Sequence, residues 1–343
     1  QLADYEGRPF SARIEREAIF LQDEWEITKQ WSTNLGIRGE RIETTSKTLD
    51  LPVSNVSSVL TPLLHLNYKF DPKGRDMIRA SLTRSYKPPG LATLLARPTI
   101  NRLYDDLGKT NTELAPDRDG NPKLRPELAT GLDLAYEKYL ADGGLISIGV
   151  FSRQIENLVR NVTSLQTVAY ASAPRWISRP TNFASAQTQG LELEVKGRAG
   201  ELMPSLFDRR LPLNLRGALS FYHSRVDTVP GPNNRLDAQQ PWSGTFGADY
   251  RMTSVPVTAG ANLTVTPGYV TQQTVSQGLE QSRARGFDLY ARWTYSPTLA
   301  FRLSANQLFP LDNVTRTFLT NGNSSSALRS GYTMLGLGLE MKL

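Results

Sequence analysis

The chain has 343 residues, with 26 glycines, 21 prolines, no cysteine, two histidines and a formal net charge of +6. Without cysteine there is no disulfide framework, thiolate metal site or cysteine nucleophile, and the scattered arginines form no nucleic-acid footprint, so no nucleic-acid partner is expected. No run approaches the ~18 apolar residues of a membrane helix, yet a mean hydropathy of −0.37 is compatible with a transmembrane barrel, in which every second strand residue is polar.

Alternation and turn residues divide the chain into roughly thirteen strands. In order they lie near 11–27, 31–43, 59–70, 75–86, 127–140, 143–158, 187–198, 211–225, 243–253, 256–267, 285–296, 298–308 and 329–343. Leu60, Leu64, Leu66, Tyr68 and Phe70 oppose Thr61, His65, Asn67 and Lys69. Leu128, Thr130, Leu132, Leu134 and Tyr136 oppose Gly131, Asp133, Ala135 and Glu137. Further on, Phe287, Leu289, Ala291, Trp293 and Tyr295 oppose Asp288, Tyr290, Arg292 and Thr294. The last stretch, Gly331 to Leu343, sets Leu335, Leu337, Leu339, Met341 and Leu343 against two glycines and a Glu340/Lys342 pair. One face of each strand is greasy and the other is small or polar, as in a wall between lipid and a wet lumen.

The connections alternate in length. Short ones lie at 28–30, 71–75, 141–144, 253–255 and 296–297, and long ones at about 44–58, 87–126, 159–186, 226–242, 268–284 and 309–328. Residues 197–210 stand where a short turn belongs but are longer. Such segregation favours an all-β fold, an antiparallel up-and-down transmembrane β-barrel with closing turns at one rim and recognition loops at the other. A soluble extracellular β-sandwich or adhesin is the alternative, and it predicts release into buffer without detergent. An odd strand count that begins on a descending strand implies a partial barrel, because closure removes sheet edges and bacterial single-chain barrels use even counts. The N-terminus, QLADYEGRPF, carries no basic-then-apolar signal sequence.

Several stretches together resemble the C-terminal half of a TonB-dependent outer-membrane receptor: AIFLQDEWEITKQWSTNLGIRGE (18–40), SLTRSYKPPGLATL (81–94), NPKLRPELATGLDLAYE (121–137), GVFSRQIENLV (149–159) and NFASAQTQGLELEVKG (182–197). The combination of Asn-Pro-x-Leu-x-Pro-Glu, Phe-x-x-x-Ile-x-Asn and a later Gly-Leu-Glu-Leu-Glu carries the resemblance. It implies a bacterial outer-membrane location and a barrel of about 22 strands with a plugged lumen. Residues 1–343 would then be the C-terminal portion of that barrel, with the plug domain and first strands absent. It also implies outer-membrane lipid and lipopolysaccharide as surroundings, and the TonB complex as a partner through the missing N-terminal region. The expected activity is import of a scarce nutrient, a ferric siderophore being the family's commonest substrate. An outer-membrane pore or barrel enzyme without TonB-dependent transport is the other membrane reading. The chain departs from the pattern in ending on Leu343 rather than an aromatic residue.

No catalytic set, cofactor site or metal site is expected. His65 and His223 fall on opposite strand faces, AspArgAspGlyAsn at 117–121 lacks the ligand spacing of a calcium loop and reads as a solvated turn, and Asp105 and Asp106 are adjacent rather than opposed. Binding is the better expectation. The loops offer Arg97, Arg102, Tyr104, Arg160, Tyr170, Arg175 and Trp176, and Arg153 lies toward the outer end of its strand. Arginine donates planar, charge-assisted hydrogen bonds and aromatic rings supply stacking area, which would suit a small anionic metal chelate.

Overall fold

The computed structural model describes residues 12–48, 51–95 and 98–342. In chain order the strands are β1 (Ala12–Glu26), β2 (Trp31–Thr48), β3 (Leu51–Lys69), β4 (Met77–Lys87), β5 (Asp117–Arg118), β6 (Glu127–Tyr139), β7 (Leu145–Gln166), β8 (Arg175–Arg198) and β9 (Leu213–Val226). There follow β10 (Trp242–Arg251), β11 (Val257–Thr266), β12 (Tyr269–Gln272), β13 (Gln277–Gln281), β14 (Ala284–Ser296), β15 (Leu299–Asn306), β16 (Asn313–Leu319), β17 (Ser324–Arg329) and β18 (Met334–Met341). One sheet runs β1-β2-β3-β4-β6-β7-β8-β9-β10-β11-β14-β15-β18, antiparallel at each step, and β12-β13-β16-β17 form a separate sheet. Every strand of the long path overlaps one expected from alternation, but β2 and β3 run on through most of the expected loop at 44–58, and β7 and β8 through most of the one at 159–186, because cross-strand pairing continues beyond the apolar period. Among the described residues the path is open, since β1 pairs only with β2 and β18 only with β15.

Prolines bracket the wall strands because they cannot donate to a ladder: Pro88 and Pro89 follow β4, and Pro126, Pro212, Pro241 and Pro256 precede β6, β9, β10 and β11. Pro52 and Pro62 in β3 and Pro180 in β8 sit inside strands where a neighbour is missing. The β3–β4 register stops at Leu63↔Thr83, beside Pro62. Pro180 lies beyond the two-residue contact of β8 with β5 and pairs only with β7, at Asn161.

The register joins apolar residues of one face in three rows: Leu35↔Leu64↔Leu82↔Leu132, Leu134↔Val150↔Leu191↔Phe221 and Leu289↔Ala305↔Leu335. No described residue covers this face. Leu132, Leu303 and Leu337 are 56%, 60% and 82% exposed, and a continuous band of that kind is stable only against lipid. Aromatic rings cluster at its short-turn end, where Trp31, Tyr68, Phe70 and Tyr136 form a chain with centroid spacings of 4.8, 5.4 and 5.8 Å. That is the composition of an interfacial girdle.

The opposite face is tied by side chains that reach across strands. Ser81 donates to Asp133 at 2.9 Å, and Arg153 reaches the same carboxylate at 2.6 Å. Arg216 and Tyr290 both engage Asp249, Arg302 lies over the Tyr290 ring, and Arg292 meets Glu340 at 2.8 Å. Gly131 leaves the space that Arg153 crosses, since a Cβ there would stand 2.6 Å from its guanidinium. A hydrogen-bonded polar face of this kind keeps a lumen wet and rigid.

At 22 and 24 residues, β7 and β8 are about twice as long as the ~10 residues a tilted strand needs to cross a bilayer. Their register slips between Ile155 and Leu158 and again between Leu158 and Val159. Asn157, at a φ of 57°, sits in this double bulge. The two slips compensate, so Arg160↔Thr181 resumes the frame of Ile155↔Ala186. Beyond the bulge the strands project as a two-stranded arm. The long turn at 197–210 contains a single helical turn, Ala199–Leu202, which puts the Glu201 carboxylate 2.7 Å from the Asp142 amide and so braces the adjacent turn.

Candidate functional site

The 88–126 loop is fastened to the arm of β8 by carboxylate–guanidinium pairs. The short strand β5 runs parallel to β8, Asp117 opposite Ile177. Asp117 and Arg175 are both fully buried, and Arg175 meets the carboxylate in a fork at 2.8 and 2.9 Å. Its remaining N–H groups donate to the carbonyls of Tyr104 (2.6 Å), Lys109 (2.8 Å) and Asp106 (3.3 Å). A buried charge pair is tolerable only when its hydrogen-bonding capacity is filled in this way. Two residues along, Arg179 reaches Asp119 at 2.6 Å. The segment 117–121 is therefore an anchored strand and bend, not the solvated turn expected from its composition, because Arg175 and Arg179 satisfy its carboxylates.

Asparagine amides complete the attachment by imitating peptide groups. Asn111 accepts from the Trp176 amide at 2.6 Å and donates to the Trp176 carbonyl at 2.9 Å. Asn182 does the same for Arg125, at 2.8 and 2.9 Å. Tyr170 packs near these carboxylates, and burial, assisted by the charges of Asp117 and Asp119, pushes its hydroxyl up to about 12. The hydroxyl has no hydrogen-bond partner among the described residues.

The four-stranded sheet braces the far side. Arg160, only 4% exposed, donates to the carbonyls of Gln273 and Arg235, both at 2.7 Å, and meets Asp237 at 3.1 Å. The Ser276 hydroxyl donates to Glu113 at 3.3 Å. Between loop, arm and sheet lies a cavity of about 660 Å³, within the range of small-molecule sites. Thr99, Asn101, Asn161, Thr163, Ser178 and Gln277 line it with neutral polar groups, and Glu113, Arg118, Asp119, Arg160 and Asp237 supply charge. A groove of about 680 Å³ on the polar wall face, lined by Glu24, Asn34, His65 and Asp133, lies beside the unpaired edge of β1 and belongs to the wall.

The expected binding residues divide accordingly. Arg160 lines the cavity, while Arg175 is committed to holding the loop. Tyr104 contributes its carbonyl to Arg175, and Trp176 is held through its backbone. Arg153 lies mid-strand on the wall, engaged by Asp133 and over the Phe151 ring, because β7 continues well beyond it. Arg102 is exposed in a single 3-10 turn, and Arg97 lies outside the described residues, as do residues 1–11 and Leu343. Sequence reasoning missed Glu113, Arg118, Asp119 and Asp237. Only the Asp-x-Asp spacing at 117 and 119 facing Arg175 and Arg179 hinted at part of this arrangement.

The fold is thus the wall of an antiparallel membrane barrel with an elaborated loop rim. Its sequence matches the family described as TonB dependent receptor-like, beta-barrel over residues 3–308, and the chain belongs to that family. The sandwich or adhesin alternative is thereby overturned: a sandwich would bury its apolar face against a second sheet, and here that face is bare.

Among solved structures, the FrpB iron transporter from Neisseria meningitidis (F3-3 variant) is similar at 16% identity and a TM-score of 0.61, covering 99% of this chain and 47% of that one. The siderophore receptor PiuA from Acinetobacter baumannii is similar at 15% identity and 0.62, covering 97% and 44%. The copper transporter OprC is similar at 13% identity and 0.65, covering 96% and 48%. The chain spans about half the length of these proteins. No curated protein matches it in sequence.

Proposed function

We propose that this chain is the C-terminal part of an outer-membrane receptor that captures a scarce nutrient, a ferric siderophore, at its outer rim and imports it with energy delivered through TonB. In this reading the plug, the first wall strands and the TonB-contacting segment are supplied by the rest of the receptor. The surroundings are outer-membrane lipid and lipopolysaccharide. The observation that carries the reading is the cavity of about 660 Å³ at the long-loop rim, built by separate segments on a wall whose opposite rim has mostly tight turns. The likeness of fold to an iron transporter and to a siderophore receptor supports it.

The site works by capture rather than chemistry. Buried ion pairs hold the loop in place before the ligand arrives, so little ordering entropy is lost on binding. The test is growth of a strain lacking the complete receptor under iron restriction, with single ferric siderophores supplied. The reading expects loss of growth on at least one of them, restored by the intact gene and not by one carrying a disabled TonB-contacting segment. Undiminished growth on every ferric siderophore supplied would overturn it.

A further inference from the structure

Resting on the reading of the rim cavity as the ligand site, we infer that it selects an electroneutral chelate with a hydrogen-bonding surface and disfavours a polyanion. The arginines suggested an anion site, but the structure has already neutralised most of them. Arg175 is consumed by Asp117 and loop carbonyls, Arg179 by Asp119, Arg153 by Asp133, and Arg160 by Asp237 and two carbonyls. Among the described residues, the charged groups lining the cavity are two cations, Arg118 and Arg160, and three anions, Glu113, Asp119 and Asp237. Asp119 is balanced by Arg179 behind it and Asp237 by Arg160, so the described lining carries no net charge. Arg118 is its single cation without an ion pair among the described residues, and it is exposed.

The rest of the lining is hydroxyls and carboxamides, among them Thr163, Ser178 and Gln277. These can donate to, or accept from, amide and hydroxamate oxygens, and they contribute no charge to balance an anion. In a ferric trihydroxamate the ligand anions cancel the charge of the iron, whereas a ferric tricatecholate remains a trianion. A lining with no net positive charge among its described residues offers a trianion no Coulombic return for the water it gives up, a cost that the neutral chelate does not incur.

The test measures binding of ferrichrome, a neutral ferric trihydroxamate, and of ferric enterobactin, a ferric tricatecholate, to the complete purified receptor at low ionic strength. The trihydroxamate is expected to bind about tenfold tighter or more, because the trianion's desolvation is left uncompensated. In Glu113→Gln and Glu113→Lys, the tricatecholate-to-trihydroxamate affinity ratio should rise stepwise. The Gln form keeps the shape of the side chain and guards against a misfolded Lys form. Equal or tighter binding of the tricatecholate, or a ratio unmoved in a folded Glu113→Gln receptor, overturns the inference and leaves the ferric-chelate reading intact. Failure of the complete receptor to bind either chelate removes that reading and this inference with it.

Discussion

The wall and the rim of this molecule are built from the same chain by opposite means. In the wall, stability is distributed: each strand repeats one simple rule, apolar out and polar in, and no single side chain is decisive. At the rim it is concentrated, with one guanidinium, Arg175, fastening Asp117 and three loop carbonyls at once. The small apolar cluster of Ala186, Val226 and Val229, with Ile155 and Leu158 packed against it, lies near the junction of the two regions. A periodic region tolerates most single changes on its own terms, whereas a keyed region fails at a few positions.

The largest expected effect breaks the comparison at its key. Arg175→Ala leaves Asp117 buried without its partner, which should cost about 3–5 kcal/mol of local stability. Limited proteolysis should then cut within 88–126, while heat-modifiable migration of the barrel stays unchanged. A barrel that unfolds together with the loop would show that the two regions are not separable.

The wall should fail through lipid. Leu337→Arg places a charge on an 82% exposed apolar position of β18, and should cost about 2–4 kcal/mol near the bilayer midplane in equilibrium refolding of the complete barrel into vesicles. An unchanged midpoint would remove Leu337 from the lipid face. Gly131→Ala, by contrast, crowds the guanidinium path from Arg153 to Asp133 and should cost about 1–3 kcal/mol. The same refolding measurement checks it, and Arg153→Ala in the same background should recover part of the loss. Full additivity would mean the two residues do not compete for that space.

The smallest effect lies back at the rim. Tyr170→Phe removes a hydroxyl without a partner, so the change in loop protection at neutral pH should be about 1 kcal/mol or less, in either direction. The pH dependence is more telling. Because the folded-state value is raised from 10.0 to about 12, the contribution of Tyr170 is fully present below pH 10 and is lost as pH rises from 10 to 12. Protease protection of 88–126 in the wild type should therefore fall across that window relative to Tyr170→Phe.

The difference between the regions also decides what could be read from sequence. The wall was legible because lipid and lumen impose a two-residue period that Leu335, Leu337 and Leu339 display without reference to any other strand. The rim was not. Strands β16 and β17 include runs such as Ser324-Ser325-Ser326 with no apolar alternation, and β13 pairs with β16 across more than thirty residues of chain. Candidate arginines could be named by type, but whether a guanidinium faces a ligand or a carboxylate depends on what a distant segment brings to it. Arg175 and Asp117 lie 58 residues apart. Their pairing turned an expected anion contact into a structural fastening, and the same logic drew attention away from Glu113 and Asp237.

The paired slips around Asn157 bear on how such a receptor can change. Since the second cancels the first, the arm of β7 and β8 rejoins the frame of the wall below it, and the bulge serves as a joint between two blocks of sequence with different surroundings. Above it, residues can be inserted, lost or exchanged to follow a new ligand without rotating any lipid-facing side chain into the lumen. The joint gives the chain a place where recognition can be rewritten while its membrane address stays the same.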